Sequence, residues 1–240
     1  MKTVIVTGSN RGIGKAIALR LASNGWRLVL AARDEELLHQ TAAGCPESLT
    51  VAMDLRDPDA PGHLVEAALA AFGSIDAIIN NAGATKRGDF EELTDADWLD
   101  GYSLKLFGAV RLTRAAWPHL RNAKGSLINI AGVGGKTPGA EFTIGGSVNA
   151  ALLSFTKALA DKGITDGVQV NAVNPGPVRT ARLEKRLTLI SEAEFVRTER
   201  ITRVGEPEDV AALIAFLLSD EGRWIHGSLI DIDGGTTKSL

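Results

Sequence analysis

The chain of 240 residues has one cysteine, one tyrosine and two methionines. The lone Cys45 excludes an intramolecular disulfide and points to a reducing compartment. No block of basic residues occurs and the formal net charge is −3. That balance argues against nucleic acid or a membrane surface as the main partner. No apolar run approaches the length of a transmembrane helix. The opening stretch, MKTVIVTGSN, carries no signal-peptide hydrophobic region and no small-residue cleavage site. Together these absences lead to the expectation of a cytoplasmic, soluble protein. The four histidines (His39, His63, His119, His226) are scattered without ligand spacing, so no metal site is expected. Hydrophobic residues make up 45% and charged residues 23%, enough apolar material for a sizeable core.

Short apolar runs alternate with longer amphipathic stretches. Strands are predicted at 3–6, 27–31, 49–53, 77–79, 126–130, 168–173 and 229–232. Helices are predicted at 14–23, 35–43, 60–72, 97–120, 140–162 and 208–219. The strand segments are unbroken apolar runs, as in a sheet covered on both faces. Repeated βα units imply a doubly wound parallel sheet of Rossmann type, an α/β fold with helices on both faces. No repeat or linker interrupts the chain, so one domain spanning 1–240 is the expectation. Residues 176–205 break the βα rhythm, and are expected to cover a substrate site.

VIVTGSNRGIGKAIALRLA reads as strand, glycine turn and helix. Gly8 permits the tight turn; Gly12 and Gly14 let backbone approach a pyrophosphate and let the helix pack against the sheet. The helix N-terminus then offers free N–H groups to the anion. An acid at the end of the second strand marks an NAD site, but RLVLAARDEEL places Arg33 there. Arg33 with Arg11 suits a 2′-phosphate and hence NADP(H) over NAD(H). Asp34, as a ribose ligand, is the competing reading.

These motifs resemble the classical short-chain dehydrogenase/reductase family, over essentially the whole chain. TGSNRGIG (7–14) resembles its TGxxxGxG, which sets Gly8, Asn10, Arg11, Gly12, Ile13 and Gly14 beside the cofactor. The resemblance places Asp54 and Leu55 at the adenine ring. NNAG gives Asn81, Ala82 and Gly83 as further cofactor contacts. NPGPVRT resembles the family's PG motif and gives Pro175, Gly176, Val178 and Thr180 at the nicotinamide half. The resemblance also implies a dimer or tetramer through helices 97–120 and 140–162.

The family's acid/base residues are an Asn-Ser-Tyr-Lys set, and this chain departs from it at all four positions. Aligning NAALLSFTKALA with the family's helix puts Asn149 at the Lys position and Gly145 at the Tyr position. Gly132 then takes the Ser position and Lys105 the Asn position. Tyr102 is the only tyrosine, and no Y-x-x-x-K occurs. Two adjacent glycines, Gly145 and Gly146, weaken a predicted helix by about 1 kcal/mol each. The expectation is that they remove the phenol and leave a hole that Lys105 reaches into. Partly desolvated, that amine would titrate near neutrality. The competing readings of Lys105 are a ribose-holding cation and a solvated lysine. Glu141, four residues before Gly145, is a second acid/base candidate, expected on the same helical face. Asn149 is expected to hydrogen-bond cofactor or substrate.

The function these residues suggest is an NADP(H)-dependent oxidoreductase acting on a carbonyl/alcohol small-molecule substrate. The alternatives are a catalytically silent cofactor-binding protein, or a lyase or isomerase on the same fold. Arg179, Arg182, Lys185, Arg186 and Arg197 hint at an anionic or polyhydroxylated substrate, and equally fit ordinary surface charge.

Overall fold

The computed structural model describes residues 1–238. Seven strands form one parallel sheet in the order β3-β2-β1-β4-β5-β6-β7. They are β1 (Thr3–Thr7), β2 (Arg27–Ala32), β3 (Ser48–Ala52), β4 (Ala77–Asn80), β5 (Ser126–Ile130), β6 (Gln169–Pro175) and β7 (Leu229–Ile232). Neighbouring residues of one strand feed opposite cores, because side chains alternate across a sheet. Val4 and Val6 of β1 meet α1 (Gly12–Ser23) and α9 (Pro207–Leu217) through Ile17, Leu21 and Ile214. Ile5, between them, faces the other side, where α3 (Ala60–Phe72) and α5 (Gly108–Ala123) supply Leu64, Leu112 and Trp117. A sheet buried on both faces explains why the strands read as continuous apolar runs rather than alternating ones. The order of strands reverses between β1 and β4, which opens a crevice at their carboxyl ends.

The long helix predicted at 97–120 is not one regular helix. It consists of α4 (Asp95–Gly101), a π-helical stretch Tyr102–Phe107, and α5. A π stretch widens the helix locally and often marks a functional site. Lys105 sits inside it. The ring of Tyr102 lies 6.4 Å from that of Trp98, so the single tyrosine packs against its own helix. The helix predicted from 140 begins three residues later, as α6 (Thr143–Asp166), and Ala140–Phe142 form a separate 3-10 turn.

Residues 176–205 contain two short helices, α7 (Ala181–Leu187) and α8 (Glu192–Glu199). Leu183, Phe195, Ile201 and Val204 bury a small core of their own. Among the described residues no helix is long and apolar enough to cross a membrane.

Candidate active site

At the carboxyl end of β1 the chain turns through Gly8 and Gly12, both in the left-handed region with φ of +65° and +53°. A Cβ on Gly14 would stand 2.1 Å from the Gly8 carbonyl oxygen, so only glycine fits there. Arg11 begins α1 without a side-chain cap, and the first turn contains no acid. The helix therefore presents uncapped N–H groups, the condition for holding a phosphate. The Ser9 hydroxyl is buried beside them without a hydrogen-bond partner. The loop after β4 is tied to this turn: Asn81 donates from Nδ2 to the carbonyls of Thr7 and Gly8, at 2.9 and 3.2 Å. The Asn81 and Ala82 amides both donate to the Thr7 hydroxyl at 3.0 Å. Opposite, the Thr180 methyl lies 3.2 Å from where a Gly12 Cβ would be. The turn, the Asn81–Gly83 loop and the segment after β6 thus line one crevice. These residues fit a dinucleotide: a cradle closed to any Cβ, an uncapped helix end and an orphaned hydroxyl.

At the outer end, Arg33 is exposed and its guanidinium is 3.8 Å from the Asp54 carboxylate. Asp54 also accepts from the Arg56 backbone N–H at 3.0 Å. Leu55 is buried against Gly108. Asp34 caps α2 (Glu35–Ala42), accepting from the Leu37 N–H at 3.0 Å. That bond engages the carboxylate offered above as a competing ribose ligand.

The inner end differs from the expectation of a hole beside Gly145 that Lys105 fills. A Cβ on Gly145 would lie 2.0 Å from the Phe142 ring, and one on Gly134 would lie 2.7 Å from it. The ring fills the space beside Gly145. The second glycine, Gly146, makes room for the Pro138 ring carbon, 2.6 Å from its would-be Cβ. Gly132 has φ of +135°, and its would-be Cβ stands 3.0 Å from the Asn149 side-chain nitrogen. Phe142 and Asn149 therefore occupy the volume that the glycines vacate. Phe142 was not among the residues singled out from the sequence. Its only signal is an aromatic three residues before a buried glycine pair.

Lys105 lies across the floor. Its stem packs on Gly83, where a Cβ would be 2.8 Å from the lysine Cδ. Its Nζ donates to the Ala131 carbonyl and to Asn149 Oδ1, both at 2.6 Å. Asn149 itself is buried. Neither partner is charged, and among the described residues no carboxylate pairs with this amine. Desolvation, helped by the nearby Arg182 charge, lowers its pKa to about 7.

Glu141 is not on the Gly145 face of α6. It lies exposed in the 3-10 turn, where its backbone carbonyl accepts from the Gly88 N–H at 3.2 Å. The basic residues of the covering segment are also redistributed. Arg179 is held by Glu206, Glu184 and Glu192, at 2.9, 3.0 and 2.8 Å. Arg186 pairs with Glu199 at 3.1 Å. These two arginines tie the segment together. Arg87, also not among the residues singled out from the sequence, stacks its guanidinium 4.0 Å from the centre of the Phe142 ring.

Residues 8–237 match a family model described as enoyl-(acyl carrier protein) reductase. The chain belongs to the short-chain dehydrogenase/reductase family. It is 36% identical to a probable 2,4-dienoyl-CoA reductase of Bacillus subtilis, over 98% of this chain and 96% of that one. An L-sorbose reductase from Gluconobacter frateurii, solved with NADPH and L-sorbose, superposes with a TM-score of 0.94 at 32% identity. That match covers 100% of this chain and 97% of the other. A Pseudomonas aeruginosa short-chain oxidoreductase with NADPH bound, described as containing an atypical catalytic center, gives a TM-score of 0.94 at 25% identity. It covers 100% of this chain and 98% of that chain. The fold, the crevice and a nicotinamide cofactor are thus features of the family to which the chain belongs.

Proposed function

We propose that the protein is an NADP(H)-dependent oxidoreductase interconverting a carbonyl and an alcohol, with Lys105 as the group that exchanges the proton. The observation that carries this reading is the Lys105 amine, donating at 2.6 Å to two neutral acceptors with no acid beside it; desolvation lowers its pKa to about 7. Gly8, Asn10, Arg11, Gly12, Ile13 and Gly14 would hold the pyrophosphate side, Asp54 and Leu55 the adenine, and Asn81–Gly83 with Pro175, Gly176, Val178 and Thr180 the nicotinamide half. Arg33 and Arg11 would take the 2′-phosphate that distinguishes NADP(H), since an arginine fork matches phosphate geometry. A nicotinamide bound there supplies or removes hydride at the substrate carbon.

The proton belongs to the protein. An ammonium has three donors, and Ala131 and Asn149 take two. The third N–H is left for a substrate oxygen in reduction. The neutral amine uses its two N–H bonds on the same acceptors and turns its lone pair to a substrate hydroxyl in oxidation. A pKa near the working pH suits both directions. Asn149 fixes the amine through its Oδ1 and cannot itself exchange a proton. Glu141 has no place in this scheme, since it stands exposed outside α6.

The segment 176–205, with α7 and α8, would serve as the cover of the substrate site. Two or four copies are expected to pair through α5 and α6. Exposed Leu99 and Phe107 on the adjoining run support that pairing, and the mass in solution tests it.

The deciding experiment combines Lys105→Met with a carbonyl substrate panel and NADPH. Turnover by the native chain that is lost in the folded variant, with NADPH binding retained, is the expected result. Turnover unchanged in the variant removes Lys105 from the chemistry.

A further inference from the structure

The rim of the site carries positive charge that the fold does not neutralise. In the covering segment Arg179 is matched to three glutamates, Arg186 to Glu199, and Arg203 to Asp209 at 2.7 Å. Among the described residues the guanidinium groups of Arg182, Arg197 and Arg200 in that segment, and of Arg87 outside it, make no hydrogen bond or ion pair to any side chain. Of these, Arg87 and Arg182 are set apart by their contacts with the site. Arg87 is nevertheless oriented, its guanidinium resting on the Phe142 ring that fills the Gly145 gap. Arg182 stands in the first turn of α7, two residues after Thr180, whose methyl touches the phosphate turn at Gly12. Its charge acts on both the Lys105 amine and Arg87. Glu141 and the already paired Glu199 are the acids whose charge reaches Arg87. Glu141 offsets one of the two guanidinium charges. An excess therefore remains at the mouth of the site, in a chain whose net charge is negative.

Unpaired cations gathered at one cleft repel one another, and an anion that enters between them relieves the repulsion. Two guanidinium forks offer bidentate contacts to a planar carboxylate. We propose that Arg87 and Arg182 bind a carboxylate of the substrate, so that the carbonyl presented to Lys105 belongs to an oxo acid. This rests on the oxidoreductase reading above, whose site it extends. A neutral sugar or a thioester lacks the group these arginines would hold.

The test separates binding from turnover. With NADP⁺ in place of NADPH an oxo acid cannot be reduced, and a dead-end complex is measured by calorimetry. The probes are 2-oxobutanoate and 4-oxopentanoate, each against its methyl ester. At least one acid is expected to bind tenfold more tightly than its ester. Arg87→Gln and Arg182→Gln are each expected to weaken that acid about tenfold and leave the ester unchanged. Arg182 is exposed, so its variant keeps the test valid if Arg87→Gln disturbs the Phe142 ring. Esters binding as well as acids, acids indifferent to both variants, or no acid binding at all would each overturn the proposal. NADP⁺ binding in the same cell, with the Lys105→Met turnover loss, stands or falls independently and reports on the oxidoreductase reading alone.

Discussion

Two glycine-rich regions meet at this crevice, and they use glycine to different ends. Around Gly8, Gly12 and Gly14 the missing side chains let the turn close tightly on Asn81, Ala82 and Thr180, beside a helix end left uncapped and a hydroxyl buried without a partner. That uncapped end suits an anionic ligand. Around Gly132, Gly134 and Gly145 the missing side chains make room for the protein's own groups, the Phe142 ring and the Asn149 amide. On the reading proposed above, the first region holds the cofactor and the second carries the proton-exchanging group, with Asn149 Oδ1 at 2.6 Å from the Lys105 amine. A glycine cluster is therefore not a signature until its neighbours are known.

The largest effect that separates the two regions is on turnover. Lys105→Met is expected to lower kcat by roughly 10²–10⁴-fold, the usual weight of a proton-transfer group. NADPH affinity should change little, because the phosphate turn is untouched. Loss of NADPH binding along with turnover would mean that Lys105 serves the cofactor instead.

Next in size is packing. Gly145→Ala puts a Cβ 2.0 Å from the Phe142 ring, and overpacking of this kind costs about 1–3 kcal/mol. Urea unfolding should show that loss, and Phe142→Ala in the same chain should recover part of it. Independent, additive losses in the double variant would break the claim that the ring fills the glycine's space.

A smaller effect is expected at the outer end. Arg33→Ala should weaken NADPH about tenfold and leave NADH and stability nearly unchanged, since Arg33 is exposed with one distant partner. Equal losses for both cofactors would sharpen the comparison differently, by making the outer end indifferent to the 2′-phosphate.

A separate effect is a pH-dependent stability difference. The Lys105 amine is pushed down to about 7 in the native state from an ordinary value of 10.5. Below pH 7 both states hold the proton, and the native chain bears the full cost of a buried charge. Between pH 7 and 10.5 only the unfolded chain holds it, so stability rises with pH, by at most about 1.4 kcal/mol per unit. Lys105→Met removes this rise, which guanidinium titrations at pH 6, 7.5 and 9 would detect. Parallel curves for the two chains would indicate a solvated lysine.

The sheet was legible in the sequence because strands buried on both faces read as unbroken apolar runs. The phosphate turn was legible because Gly8, Gly12 and Gly14 fall between a strand and a helix. The π stretch at Tyr102–Phe107 was not, since a helical apolar pattern carries no mark of a locally widened turn. Glu141 was misplaced for a related reason: a 3-10 turn entering a helix shares the helix's composition. The paired state of Arg179 and Arg186 depends on acids 5 to 27 residues away in α7, α8 and at Glu206, beyond the reach of local spacing. The Phe142 ring points sideways into a gap left by Gly134 and Gly145, a contact no periodicity predicts. Lys105 was picked out because the resemblance implies an asparagine at its position, but its neutral partners, the Ala131 carbonyl and Asn149, came only with the fold.

The most direct measurement is a titration of the Lys105 amine itself, by nitrogen-15 lysine-labelled NMR with Lys105→Met to assign the signal. A midpoint near pH 7 is the result expected for a desolvated amine poised to exchange a proton. A midpoint above 10, in the ordinary lysine range, would contradict the account at its centre.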